Sequence, residues 1–108
     1  MSINPDTIPV ARIDSAAIRH LVIHYRDYSG DWQGKSDRHQ GIEFRHAILD
    51  HYPAGIEELT GTTFDIVSPC IFDFNETQRN KPFYFIMRWE NPSGKKGPWS
   101  EIYSAIIP

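Results

Sequence analysis

The last quarter of the chain, KPFYFIMRWENPSGKKGPWSEIYSAIIP from Lys81 to Pro108, constrains what it can fold into more than any other stretch. Two runs of aromatic and β-branched residues flank the polar insert Asn91 to Pro98, the pattern of two antiparallel strands joined by a loop. In the first run Phe83, Phe85, Met87 and Trp89 alternate with Tyr84, Ile86, Arg88 and Glu90. One face is that of a core strand and the other is half apolar, so this strand belongs inside a sheet rather than at its edge. An isolated hairpin is marginal in water, so further strands must come from upstream.

Size and charge bound the rest. The 108 residues make one domain, large enough to bury roughly two-thirds of the surface its unfolded form exposes. With a formal net charge of -3, no long-range attraction to nucleic acid or to an anionic membrane is expected. The start, Met1, Ser2, Asn4, Asp6 and Thr7, has neither a basic nor an apolar leader region, and no run reaches transmembrane length, so membrane insertion is not expected. Cys70 is the only cysteine. It excludes an intrachain disulfide and is compatible with the cytoplasm without assigning a compartment.

In chain order, residues 1–13 read as a lead-in or linker that becomes an edge strand near Ile8 to Ile13, and 14–108 as the domain proper. Ser15 to Asp27 is ambiguous. Ile18, Leu21, Val22 and Tyr25 have helical spacing, whereas Leu21, Ile23 and Tyr25 alternate as a strand face. The same holds for Gly41 to Leu49, where Ile42, Phe44, His46 and Ile48 alternate. The β-branched and aromatic content favours strands at both places. Between them, Tyr28 to Gly41 is a long polar segment with Trp32 at its middle. Loops of that length are uncommon in compact domains and often functional. Trp32 either folds back over the core edge or serves as a contact residue. Ile56 to Leu59 fits one helical turn, Thr62 to Val67 a brief strand ending at Ser68-Pro69, and Phe72 and Phe74 alternate before a polar crossing.

Candidate chemistry is thin. His20 and His24 form an H-x-x-x-H pair that on a helix would hold zinc. On a strand they lie roughly 13 Å apart, at about 3.3 Å per residue, too far for one ion. His46 and His51 complete no site in the expected fold, so no metal or other cofactor is assigned. No G-x-S-x-G elbow, C-x-x-C or P-loop spacing is present. Glu57-Glu58 reads as a solvated pair in a polar turn. No catalytic residue is assigned, and an enzyme is not expected.

The run FYFIMRWENPSGKKGPWSEI is similar to the sixth strand, connecting loop and last strand of fibronectin type III domains. The combination HLVIHYRD, GIEFRHAIL, RWEN and GPWSEIYSAIIP resembles an uncharacterised group of bacterial proteins in which such a domain ends a longer chain. The resemblance implies an all-β, immunoglobulin-like, fibronectin type III-type antiparallel β-sandwich of about seven strands. Tyr25 then stands at the usual core Trp position and Phe83 at the usual corner Tyr. In cytokine-receptor relatives a Trp-Ser motif stacks with arginines of the neighbouring strand, which implies a structural brace from Trp99-Ser100 and Arg88 beside the core residue Trp89.

The fold implies no activity by itself. The expected function is a non-catalytic binding or protein interaction module, serving a protein partner or a neighbouring domain. A carbohydrate-binding module and a structural spacer are the alternatives. In this topology the Tyr28 to Gly41 and Asn91 to Pro98 loops cluster at one end. Trp32, Arg38, His39, Lys95 and Lys96 are therefore the expected contacts.

Overall fold

A computed structural model describes residues 7–27 and 41–108. Within them the chain is all-β: seven strands in two antiparallel sheets, with two single-turn 3-10 helices at Ile56–Glu58 and Glu76–Gln78. The strands are β1 (Pro9–Asp14), β2 (His20–Asp27), β3 (Gly41–Ile48), β4 (Gly61–Asp65), β5 (Cys70–Asp73), β6 (Pro82–Glu90) and β7 (Tyr103–Ile106). The smaller sheet has the order β1-β2-β5 and the larger β4-β3-β6-β7. The chain therefore changes sheet between β2 and β3, between β4 and β5, and again between β5 and β6.

Both ambiguous segments are strands. In β2, the buried Leu21, Ile23 and Tyr25 alternate with the half-buried Val22, His24 and Arg26, and Ile18, which a helix would turn inward, is 61% exposed. The strand starts where it does because Arg19 takes a left-handed backbone, φ 64°. That turn is pinned from two sides: the Arg19 N–H donates to the Pro108 carbonyl, and its carbonyl accepts from the Phe74 N–H. β1 is an edge strand of the smaller sheet, with Pro9 fully buried and Ala11 and Ile13 packed on the core.

The core lies between the sheets. Leu21, Ile23, Tyr25 and Cys70 from the smaller sheet meet Ile42, Phe44, Phe83, Phe85, Met87 and Trp89 from the larger, with Ile107 at one end. β6 is central, pairing with β3 from Pro82's neighbour Phe83 to Glu90 and with β7 over Pro82 to Phe85. Its second face is covered too. Ile86 is fully buried outside the core cluster, as is Leu59. Arg45, opposite Ile86, donates Nε–H to the Leu59 carbonyl at 3.0 Å, which holds the β3–β4 connection over the outer face.

One polar strut crosses between the sheets. The Tyr25 hydroxyl on β2 donates to the Asp65 carboxylate at the end of β4, 2.9 Å away. Burial first, and then the Asp65 carboxylate, push the phenol well above its ordinary range, so it stays a donor. Tyr25→Phe is expected to cost about 1.5–3 kcal/mol, the usual worth of a hydrogen bond to a charged acceptor. Urea denaturation compared with the parent chain checks it.

Candidate functional site

The two ends of the sandwich differ in chemistry. Of the expected contacts, Trp32, Arg38 and His39 lie outside the described residues. Lys95 and Lys96 are on the β6–β7 connection. Its turn is built on Asn91, whose Oδ1 accepts from the Ser93 and Lys95 amides, and Gly94 supplies the required positive φ of 90°. Lys96 points back at the sheet, 3.4 Å from Glu43 and 3.8 Å from Glu90.

Beside it, Arg88 donates Nε–H to Glu43 at 2.9 Å while its guanidinium carbon sits 4.0 Å from the Trp99 ring centroid. Partial burial pushes the Glu43 carboxyl up. The Arg88 hydrogen bond and charge, helped by Lys96, more than offset that and hold it below its ordinary value. Ser100 next to Trp99 is itself buried, its amide donating to the Met87 carbonyl and its hydroxyl accepting from the Met87 amide. Arg88, Trp99 and Ser100 thus tie the approach to β7 onto β6.

A concave feature lies at the opposite end. An open cleft of about 430 Å³ runs between β3 and β4 of one sheet and β5 of the other. Its aromatic wall is formed by Phe72, Phe74 and Phe83, with Phe83 ring centroids 5.1 Å from both others. His46 joins them edge-on, 5.0 Å from Phe72. Glu58, Thr60, Asp73 and Gln78 supply the polar part of the lining.

The alternation of β3 turns His46 inward, as it does Phe44 and Ile48. Its Nε2 lies 2.9 Å from the Thr63 hydroxyl. Burial pulls the imidazole below its ordinary value, so it is neutral near pH 7. Gly61 makes room for that ring, since a Cβ there would stand 2.5 Å from His46 Cε1.

The two carboxylates each hold a histidine. His20 Nδ1 is 2.5 Å from Asp73, and His51 Nε2 is 2.6 Å from Glu58. Glu58 also accepts from the Ala54 amide, and its side chain is 28% exposed. Glu58 and Asp50 flank His51 and raise its pKa, and the imidazole in turn lowers both carboxyls.

Other sequence candidates are not gathered. His20 and His24 occupy one strand, facing Asp73 and Arg12 as cross-strand partners. Among the described residues no group of three His, Cys, Asp or Glu side chains is placed to hold a metal ion. Cys70 is buried, and burial pushes its thiol up to about 12, far from a nucleophile's range. No helix of the described residues is long and apolar enough to cross a membrane.

Compared with protein-family models and with curated proteins, the chain matches none.

Proposed function

We propose that this chain is a non-catalytic binding or interaction module on a fibronectin type III-type sandwich, and that recognition uses the cleft between β4 and β5. The three-plus-four strand order supports the fold reading. The observation that carries the functional one is the cleft itself: a concave aromatic wall of Phe72, Phe74 and Phe83 with two carboxylates, Glu58 and Asp73, in its lining. Apolar concavity with a few convergent polar groups is the usual form of a small-ligand or side-chain pocket. Aromatic walls beside carboxylates suit an apolar body with a positively charged head, as in a basic peptide side chain.

Catalysis has little to work with there. His46 is neutral and hydrogen-bonded to Thr63, and no described carboxylate orients it. The sugar-binding alternative lacks a platform among the described residues. The two exposed rings, Tyr52 and Phe64, lie on different parts of the chain, and Tyr52 stands edge-on to Tyr84.

Phenethylamine and phenylacetate, equal in ring but opposite in charge, test the proposal by amide chemical-shift titration. Saturable shifts at Gly61, Asp73 and Phe74 with the amine, much weaker with the acid, are expected. Shifts with neither probe, or equal shifts spread over the surface, would remove the cleft as the site.

A further inference from the structure

Among the described residues the larger sheet ends in β4, and that edge carries few of the features that keep edges from pairing. Edge strands present unpaired N–H and C=O groups and are normally blunted by lysine, proline, inward charges or shortness. Among the described residues there are three other edges. β1 opens with Pro9 and carries Arg12 and Asp14, β5 is four residues long behind the cis Ser68-Pro69 peptide, and β7 is four residues long with Pro108 just beyond it.

β4 reads Gly-Thr-Thr-Phe-Asp, with no lysine, arginine or proline. Its one charge, Asp65, is engaged by the Tyr25 hydroxyl. It also leads into a run of exposed apolar residues: Phe64 is 53% exposed, Ile66 58% and Val67 62%.

We propose that β4 pairs antiparallel with β4 of a second copy, joining the two larger sheets into one continuous sheet. The strand is self-complementary about Thr63. A two-fold axis there sets Thr63 against Thr63 of the second copy, Thr62 against Phe64, and Gly61 against Asp65. All five residues find partners, and no two like charges face one another. Each carboxylate stands opposite a glycine, and each Phe64 ring gains a β-branched neighbour on the outer face, the kind of cross-strand pair that stabilises sheets.

The same register sets Ile66 of the second copy opposite Thr60, just beyond the end of the strand. Centring the axis on Thr62 or Phe64 would leave strand residues unpaired. A two-fold axis normal to the sheet sets both smaller sheets on the same side of the joined sheet. Two five-residue edges bury little area, and the dimer is accordingly weak and reversible.

Sedimentation equilibrium of the full chain from micromolar to millimolar concentration tests this. A monomer–dimer equilibrium is expected, weakened at least tenfold by Phe64→Lys, whose fold is verified by an unchanged circular dichroism spectrum.

The register is tested separately by cysteine cross-linking. Opposed residues in an antiparallel pair have Cα atoms about 4.5–5.5 Å apart, within disulfide reach, whereas diagonal neighbours are about 7–8 Å apart. Thr63→Cys should therefore cross-link to a dimer under mild oxidation, and Thr62→Cys should not, with the parent chain controlling for buried Cys70. A chain that stays monomeric throughout overturns the proposal. So does a dimer that survives Phe64→Lys, or one that cross-links through position 62 in preference to 63.

Discussion

Replacing Trp89 by alanine is expected to lower the stability of the domain by about 3–5 kcal/mol, the range for removing a large buried aromatic. The indole is 4% exposed and sits opposite Ile42 on the central strand. It packs edge-on against Tyr25, with ring centroids 6.0 Å apart. Its loss would open a cavity under the Tyr25–Asp65 strut as well as remove apolar contact.

Trp89→Phe should be far milder. The buried indole Nε1–H has no hydrogen-bond partner among the described residues, so phenylalanine removes an unsatisfied donor along with one ring. Denaturation midpoints of the two variants, measured with the parent chain, check both the size and the order. Equal, small losses would mean that β6 presents its other face to the core.

The second large effect is expected at Arg88. Arg88→Ala should cost about 2–3 kcal/mol, because it removes the cation–π contact with Trp99 and leaves a half-buried Glu43 with only the more distant Lys96. Arg88→Lys should recover only part of this, since an ammonium lacks the planar fork that stacks and bonds at once.

The pH dependence separates the two losses. The folded-state pKa of Glu43 is depressed. Its contribution is therefore fully present above the unfolded carboxyl value of about 4.3, and is lost as pH falls through the lower folded value. Arg88→Ala should remove most of that acid-side slope, whereas Trp99→Leu should reduce stability at all pH values and leave the slope in place. Unfolding curves across the acid range give both readings.

Much of the fold was legible because alternation is a local property. Phe83, Phe85, Met87 and Trp89 announce a buried face without reference to any partner, and all four are buried. The ambiguity of residues 15–27 was real on periodicity alone. It is resolved by the left-handed turn at Arg19, held by Pro108 and Phe74, which are distant in sequence.

The cleft was not legible for the same reason. Its lining comes from five separated stretches, around His46, Glu58 to Gly61, Phe72 to Phe74, Gln78 and Phe83. Each of those aromatics reads singly as ordinary core. The one local hint was His46, a titratable side chain at an inward position of the Ile42, Phe44, His46, Ile48 alternation. The long polar stretch of sequence around Trp32 drew the expected site to the other end, and Trp32, Arg38 and His39 lie outside the described residues.

That the space between β4 and β5 is a binding cleft is tested most directly by intermolecular nuclear Overhauser effects between phenethylamine and the aromatic rings. Contacts from the probe to His46, Phe72, Phe74 and Phe83, with none to Tyr25 or Trp89, are the expected result. Contacts confined to Trp99 and the Asn91 to Pro98 loop, or none to any ring, would contradict it.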